Sequence, residues 1–227
     1  MAQVDFAERQ LTLKIVYYGP PLSGKTSNLR NLHSRVDANG RGRLMTIDTR
    51  DDRTLFFDLL PLFFRGSNFS LRVKVYTVPG QPAHEATRRM VLAGADAVVF
   101  VADSQASQQD ANRTSWENLL RNLATVAPVP VLLQYNKRDC ASALPLEALP
   151  TFRLPPGYQS GLAAPVHAPI AAEAVRGVGV IETFLAIADG VWHSLDREFG
   201  LTARYGIAQL EFARALRAQF GLSESVR

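Results

Sequence analysis

Short apolar runs and stretches of helical spacing alternate along most of the chain. Residues 11–17 read as a first strand, followed by a glycine-bearing loop and a helix from Thr26 to about Val36. The runs at 97–102 and 131–135 are continuously apolar, the pattern of parallel strands buried on both faces. Residues 84–93 predict a helix. So do residues 107–126, where Trp116, Leu119, Leu120 and Leu123 fall on one stripe until Pro128 and Pro130 break it. Segments 54–60 and 69–78 predict a hairpin across 65–68, whereas 37–53 is polar, contains glycine and reads as a long loop. The proline-rich stretch 143–158 reads as a short helix between loops. Residues 165–170 then suggest a last strand and 179–195 the helix after it.

Strands alternating with helices imply a parallel sheet wrapped by helices. Beyond Gly200, residues 202–220 regain helical spacing, with Tyr205, Ala208, Phe212, Leu216 and Phe220 on a loose stripe suited to packing back on the parent domain. The expected organisation is one α/β domain over 10–198 and a C-terminal helical extension over 199–227. No internal repeat interrupts it.

Composition narrows the class. With 227 residues and 47% hydrophobic content, the chain is long enough to bury a substantial core. Its longest apolar runs fall far short of a membrane span. The start Met1-Ala2-Gln3-Val4-Asp5 lacks a signal-peptide pattern, so a cytoplasmic protein is expected. Ala2 excludes N-myristoylation, and Glu224-Ser225-Val226-Arg227 offers no cysteine for prenylation. Cys140 stands alone, which excludes an internal disulfide and argues against a cysteine-based metal cluster; His33, His167 and His193 show no metal-ligand spacing. The net charge of +4 is scattered, and Arg41 and Arg43 beside Gly40 and Gly42 read as a solvated loop. Nucleic-acid binding needs a clustered basic patch, so none is expected.

Two motifs carry chemistry. Gly19-Pro20-Pro21-Leu22-Ser23-Gly24-Lys25-Thr26 matches the phosphate-binding pattern G-x-x-x-x-G-K-[ST], between a predicted strand and a predicted helix. There, successive backbone N–H groups and a helix N-terminus face phosphate oxygens. Gly19, Leu22, Ser23, Gly24 and Ser27 become candidate nucleotide contacts. Lys25 would reach the β- and γ-phosphates, and Thr26 would give its hydroxyl to Mg²⁺. About 110 residues later, Asn136-Lys137-Arg138-Asp139 ends a strand at the ligand-binding edge of the sheet. An ionised Asp139 can accept two parallel hydrogen bonds from the N1–H and exocyclic amine of guanine, a pair that adenine lacks. GTP and GDP with Mg²⁺ are therefore the expected ligands. An ATP-dependent kinase or ATPase would require Asp139 to be incidental.

Thr77-Val78-Pro79-Gly80-Gln81 ends the strand that begins at Phe69. With the two motifs above, it makes residues 10–198 resemble the Ras superfamily, and so a mostly parallel six-stranded sheet flanked by helices. In that layout Gly80 gives its N–H to the γ-phosphate and Gln81 orients the attacking water. The Ras pattern also places a small residue against the guanine oxygen in 171–175, and Ala174 fits by its spacing from Gly179. Thr77 departs, standing where most Ras-like proteins carry aspartate.

That departure is shared with the MglA family of bacterial GTPases of gliding motility and cell polarity. Leu22-Ser23-Gly24-Lys25-Thr26, Arg53-Thr54-Leu55-Phe56-Phe57-Asp58, Tyr76-Thr77-Val78-Pro79-Gly80-Gln81, Val99-Phe100-Val101-Ala102-Asp103-Ser104 and Asn136-Lys137-Arg138-Asp139 are all similar to it. The resemblance implies that Thr54 closes over Mg²⁺ and the γ-phosphate, and that Arg53 acts as an arginine finger in cis. It also implies a roadblock-fold activator, MglB, together with effectors, and it allows recruitment to a cell pole or peripheral membrane contact. Thr77 would touch the metal only through water. Asp48, Asp51 and Asp58 are the acids available to compensate for its missing charge.

A second departure is Pro21, where the family has glycine. A pyrrolidine ring there removes an N–H and adds bulk beside the γ-phosphate. Two functions follow: a GTPase switch, slow without its activator, or a GTP-binding interaction module without useful turnover.

Overall fold

The computed structural model describes residues 2–5, 7–47, 57–156, 158 and 168–222. Strand β2 (Gln10–Tyr18) lies at its centre and shows how the sheet acquires two cores. Leu11, Leu13, Ile15 and Tyr17 point to one face, Val16 and Tyr18 to the other, as strand geometry requires. β2 pairs in parallel with β5 (Ser70–Thr77) on one side and β6 (Ala97–Asp103) on the other. β7 (Val131–Asn136) and β8 (Ile170–Ala171) continue the parallel run. All seven residues of β6 are buried, as its unbroken apolar run predicts.

The hairpin is present as β4 (Phe57–Arg65) antiparallel to β5, with Arg65 opposite Ser70. β4 continues past the predicted end and through Pro61. The Pro61 carbonyl accepts from Gly42 N–H at 2.8 Å, so the missing amide hydrogen faces that same outer side. The ladder to β5 loses nothing. Two further strands raise the expected six to eight: β1 (Gln3–Asp5), antiparallel to β2, and β3 (Met45–Ile47), antiparallel to β4. β3 falls inside the stretch read as loop, because three residues are too short to display a period. The sheet order is β3-β4-β5-β2-β6-β7-β8.

Helices α1 (Lys25–Arg35) and α4 (Val180–Phe199) cover one face, α2 (Glu85–Leu92) and α3 (Gln109–Leu123) the other. Trp116, Leu119 and Leu123 of the α3 stripe are buried, with Leu120 at its margin. Among its described residues, the stretch 143–158 holds a short 3-10 turn at Leu146–Ala148 in place of the expected helix. The single C-terminal helix expected over 202–220 is two: α5 (Leu201–Tyr205) and α6 (Gln209–Ala218), separated where the chain turns at Gly206. Both pack on the α1/α4 face. Phe212 is 1% exposed and stacks on Phe69 with ring centroids 6.2 Å apart, while Phe220 packs against Phe64 and Phe184. No helix among the described residues is long and apolar enough to cross a membrane.

The carboxyl ends of β2, β5, β6, β7 and β8 open on one side. There the parallel order reverses direction around β2, the position where open α/β sheets bind ligands.

Candidate functional site

The phosphate loop leaves β2 and closes at Gly24, the N-cap of α1, with φ of +101°. A Cβ at Gly24 would lie 2.0 Å from Asn136 Nδ2, so only glycine allows the two loops to meet. Leu22 takes a left-handed conformation (φ 59°) and is 87% exposed, leaving its backbone rather than its side chain facing the loop interior. Lys25 is buried and donates from Nζ to Gly19 O at 2.9 Å and Pro20 O at 2.6 Å. Burial lowers its pKa to about 7; the nearby Arg88 cation adds to the fall and Asp58 opposes it. Thr26 and Ser27 occupy the first turn of α1.

One carboxylate organises the Thr26 side. Asp58 Oδ2 accepts from Thr26 Oγ1 at 2.6 Å and from Thr77 Oγ1 at 3.0 Å, while Oδ1 accepts from Thr46 Oγ1 at 2.8 Å. Asp58 N–H returns a bond to Thr77 Oγ1 at 2.9 Å. Asp58, one of the three acids available for Thr77's missing charge, is brought beside both threonines. Asp48 and Asp51 lie outside the described residues, as do Arg53 and Thr54. A cavity of about 400 Å³ opens here, lined by Lys25, Thr26, Asp58, Thr77, Gly80 and Gln81 among others, with His84 at its edge. The hydroxyls of Thr26, Thr46 and Thr77 with the buried Asp58 carboxylate suit a hard cation that keeps part of its water shell. Among the described residues there is no His/Cys/Asp/Glu cluster of three or more able to hold a metal by itself. The residues therefore fit Mg²⁺ held partly by a bound nucleotide.

Gly80 abuts the phosphate loop: a Cβ there would stand 2.3 Å from Pro21 N and 2.5 Å from its Cα. Gln81 follows, exposed at the cavity.

On the opposite side Asn136 acts as a rivet. Its Nδ2 donates to Ser23 O at 2.7 Å, its Oδ1 accepts from Ala174 N–H at 2.9 Å, and its carbonyl accepts from Ser104 N–H at 2.9 Å. The 2% exposed side chain thus joins the phosphate loop to the β8–α4 loop. Lys137 is left-handed (φ 64°) and pairs through Nζ with Asp103 Oδ2 at 2.6 Å. Asp139 stands exposed at the rim. Ala174 is buried and its N–H is given to Asn136, so a base oxygen approaching it would share that donor.

Three residues escape the sequence reading. Asp103 lies inside a quoted segment but shows no sign there of its ion pair with Lys137. Thr46 sits in the stretch read as loop. Arg88 resembles any solvated arginine three residues after a glutamate.

A phosphate loop after the central strand and an Asn-Lys-x-Asp corner after β7, on a mostly parallel sheet, define the Ras-like small-GTPase fold. No protein-family model matches the chain. Mutual gliding-motility protein MglA of Myxococcus xanthus (strain DK1622) is 42% identical over 198 residues, covering 83% of this chain and 94% of that protein. The chain belongs to the MglA family of small GTPases.

Proposed function

We propose that the protein is a switch that binds and hydrolyses GTP, controlling motility or cell polarity through partner proteins. The observation that carries this reading is the Asn136 rivet. It ties the phosphate loop to the corner Asn136–Asp139 and to the β8–α4 loop, which supports one ligand engaging both motifs. Gly19, Leu22, Ser23 and Gly24 line the phosphates with backbone groups, and Lys25 turns its ammonium to the β- and γ-phosphates. Lys137 and Asp139 read guanine, with Ala174 N–H near its oxygen. Thr26, and Thr77 through water, would hold Mg²⁺, with Asp58 supplying nearby charge and Thr54 closing over it. When bound, Mg²⁺ neutralises charge on the β- and γ-phosphate oxygens.

Gly80 senses the γ-phosphate, Gln81 orients the water, and Arg53 stabilises the charge spread over the transferred group. A guanidinium suits that distributed charge better than a point charge does. The γ-phosphate orders the segments around Thr54 and Gly80, and hydrolysis releases them to be read by effectors. An MglB-like roadblock-fold protein accelerates the step. The cytoplasm, with recruitment to a cell pole, is the place for such a cycle.

One observation favours the second reading, a GTP-binding module without useful turnover: Pro21 is packed on Gly80, where the γ-phosphate must be sensed. Competition binding and single-turnover assays separate the readings. GTP should outcompete ATP by at least ~10²-fold, and Asp139→Ala should erase most of that margin. Equal affinity for ATP and GTP would overturn guanine recognition. Pro21→Gly should accelerate hydrolysis, and a parent protein with no turnover in any state leaves the binding module standing.

A further inference from the structure

A charged network runs behind Gly80 that the roles assigned so far do not use. Arg88, on α2, has a side chain only 6% exposed. Its Nη1 donates to the carbonyl of Gln81 and, at 3.4 Å, to that of Pro79, so one guanidinium brackets Gly80 from both sides. Its other edge donates to Glu85 Oε2 from Nη2 at 2.6 Å and from Nε at 3.2 Å. Glu85 is anchored in turn by Asn118 Nδ2 at 2.7 Å, and Asn118 Oδ1 accepts from the Tyr18 hydroxyl. Asn122 Nδ2 donates to the same hydroxyl at 3.1 Å. Tyr18 is the last residue of β2, immediately before Gly19.

The chain of contacts therefore begins where the phosphate loop begins and ends on the two carbonyls around the γ-phosphate sensor. A planar guanidinium can satisfy two carbonyls and a carboxylate together; an ammonium, a compact charge on a flexible stem, cannot hold that fork. The segment 78–81 has no regular secondary structure of its own: Val78 N–H donates to Tyr17 O at 3.2 Å and the Gln81 carbonyl also accepts from His84 N–H at 3.2 Å, so Arg88 supplies the side-chain bonds that hold the backbone on both sides of Gly80. A small misplacement of such groups is costly to rate.

We propose that Arg88 is a positioning residue for hydrolysis. It clamps the backbone of 79–81 against an anchor formed by Glu85, Asn118 and Tyr18, so that Gly80 and Gln81 move with α2 as one unit. This rests on the GTPase reading above.

The test uses full-length protein with Arg88→Lys, Arg88→Ala and Tyr18→Phe. Single-turnover GTP hydrolysis should fall about tenfold in both Arg88 variants, and less in Tyr18→Phe, while GTP and GDP affinities stay within about twofold. Amide hydrogen exchange over 78–84, with a non-hydrolysable GTP analogue bound, should quicken in the same order. Full rescue by lysine would overturn the proposal, because a packing or net-charge role needs no fork. So would losses of nucleotide affinity and melting temperature that match the loss of rate. If the parent protein shows no hydrolysis, the GTPase reading fails separately, and unchanged exchange over 78–84 overturns the role of Arg88.

Discussion

Thr77 ends β5, and the neighbouring strand brings the Asp58 carboxylate against it. The two are joined by reciprocal bonds, Thr77 Oγ1 to Asp58 Oδ2 and Asp58 N to Thr77 Oγ1, so the hydroxyl steers a carboxylate that its own position lacks. Asp58→Asn keeps the size and removes the charge. Mg²⁺ affinity of the GDP-bound protein should fall roughly tenfold or more, with faster GDP release, as is usual when a group orienting a metal site is lost. Magnesium titration against release of a fluorescent GDP measures both, and an unchanged Mg²⁺ dependence would reduce Asp58 to a strut. Three aspartates were visible in this stretch from the sequence. That Asp58 stands beside Thr77 follows only from the β4–β5 register, which places Leu59 opposite Tyr76. The place of Asn136 at a strand end was legible because the apolar run before it is local. Its bond to Ala174, 38 positions away, was not.

Among the elements, α6 shows how far pattern reading reaches. Its stripe pointed correctly to burial: Phe212 and Leu216 are 1% and 2% exposed, and Tyr205 and Phe220 pack at the margin. The stripe could not reveal that Gly206 divides the segment, because α5 and α6 keep apolar residues at compatible spacing on either side. Phe212→Ala should destabilise the fold by about 3–5 kcal/mol, measured by urea unfolding of the GDP-bound protein, through lost burial and the cavity left against Phe69. GDP affinity should hold, since Phe212 packs on Phe69 before the start of β5, whereas the phosphate loop leaves β2 beside the other end of that strand, at Thr77. The strands were legible where continuous apolar runs dictated them. β3 was not, since its order comes from pairing with β4 rather than from its own three residues. Arg88 was hidden for a related reason: at i+3 from Glu85 it matches a surface ion pair until the tertiary fold buries it.

For the whole molecule, the network behind Gly80 links stability to pH. Burial alone would raise the Glu85 pKa, but hydrogen bonds from Asn118, Arg88 and Asn122, with the charge of Arg88, hold it at about 2 against an ordinary 4.5. A depressed carboxyl contributes fully above its unfolded value, and that contribution fades as pH falls from 4.5 through 2. Unfolding measured across that window should therefore lose stability less steeply in Glu85→Gln than in the parent, and identical slopes would show that Glu85 gains nothing from its partners. The sheet itself carries one more consequence. Its order ends in β3, three residues long, and β8, two residues long, with Pro61 breaking the donor row along the outer side of β4. Among the described residues these termini offer a second chain almost no continuous row of N–H and C=O groups to pair with. Both ends of the sheet are thereby guarded, among the described residues, against edge-to-edge aggregation.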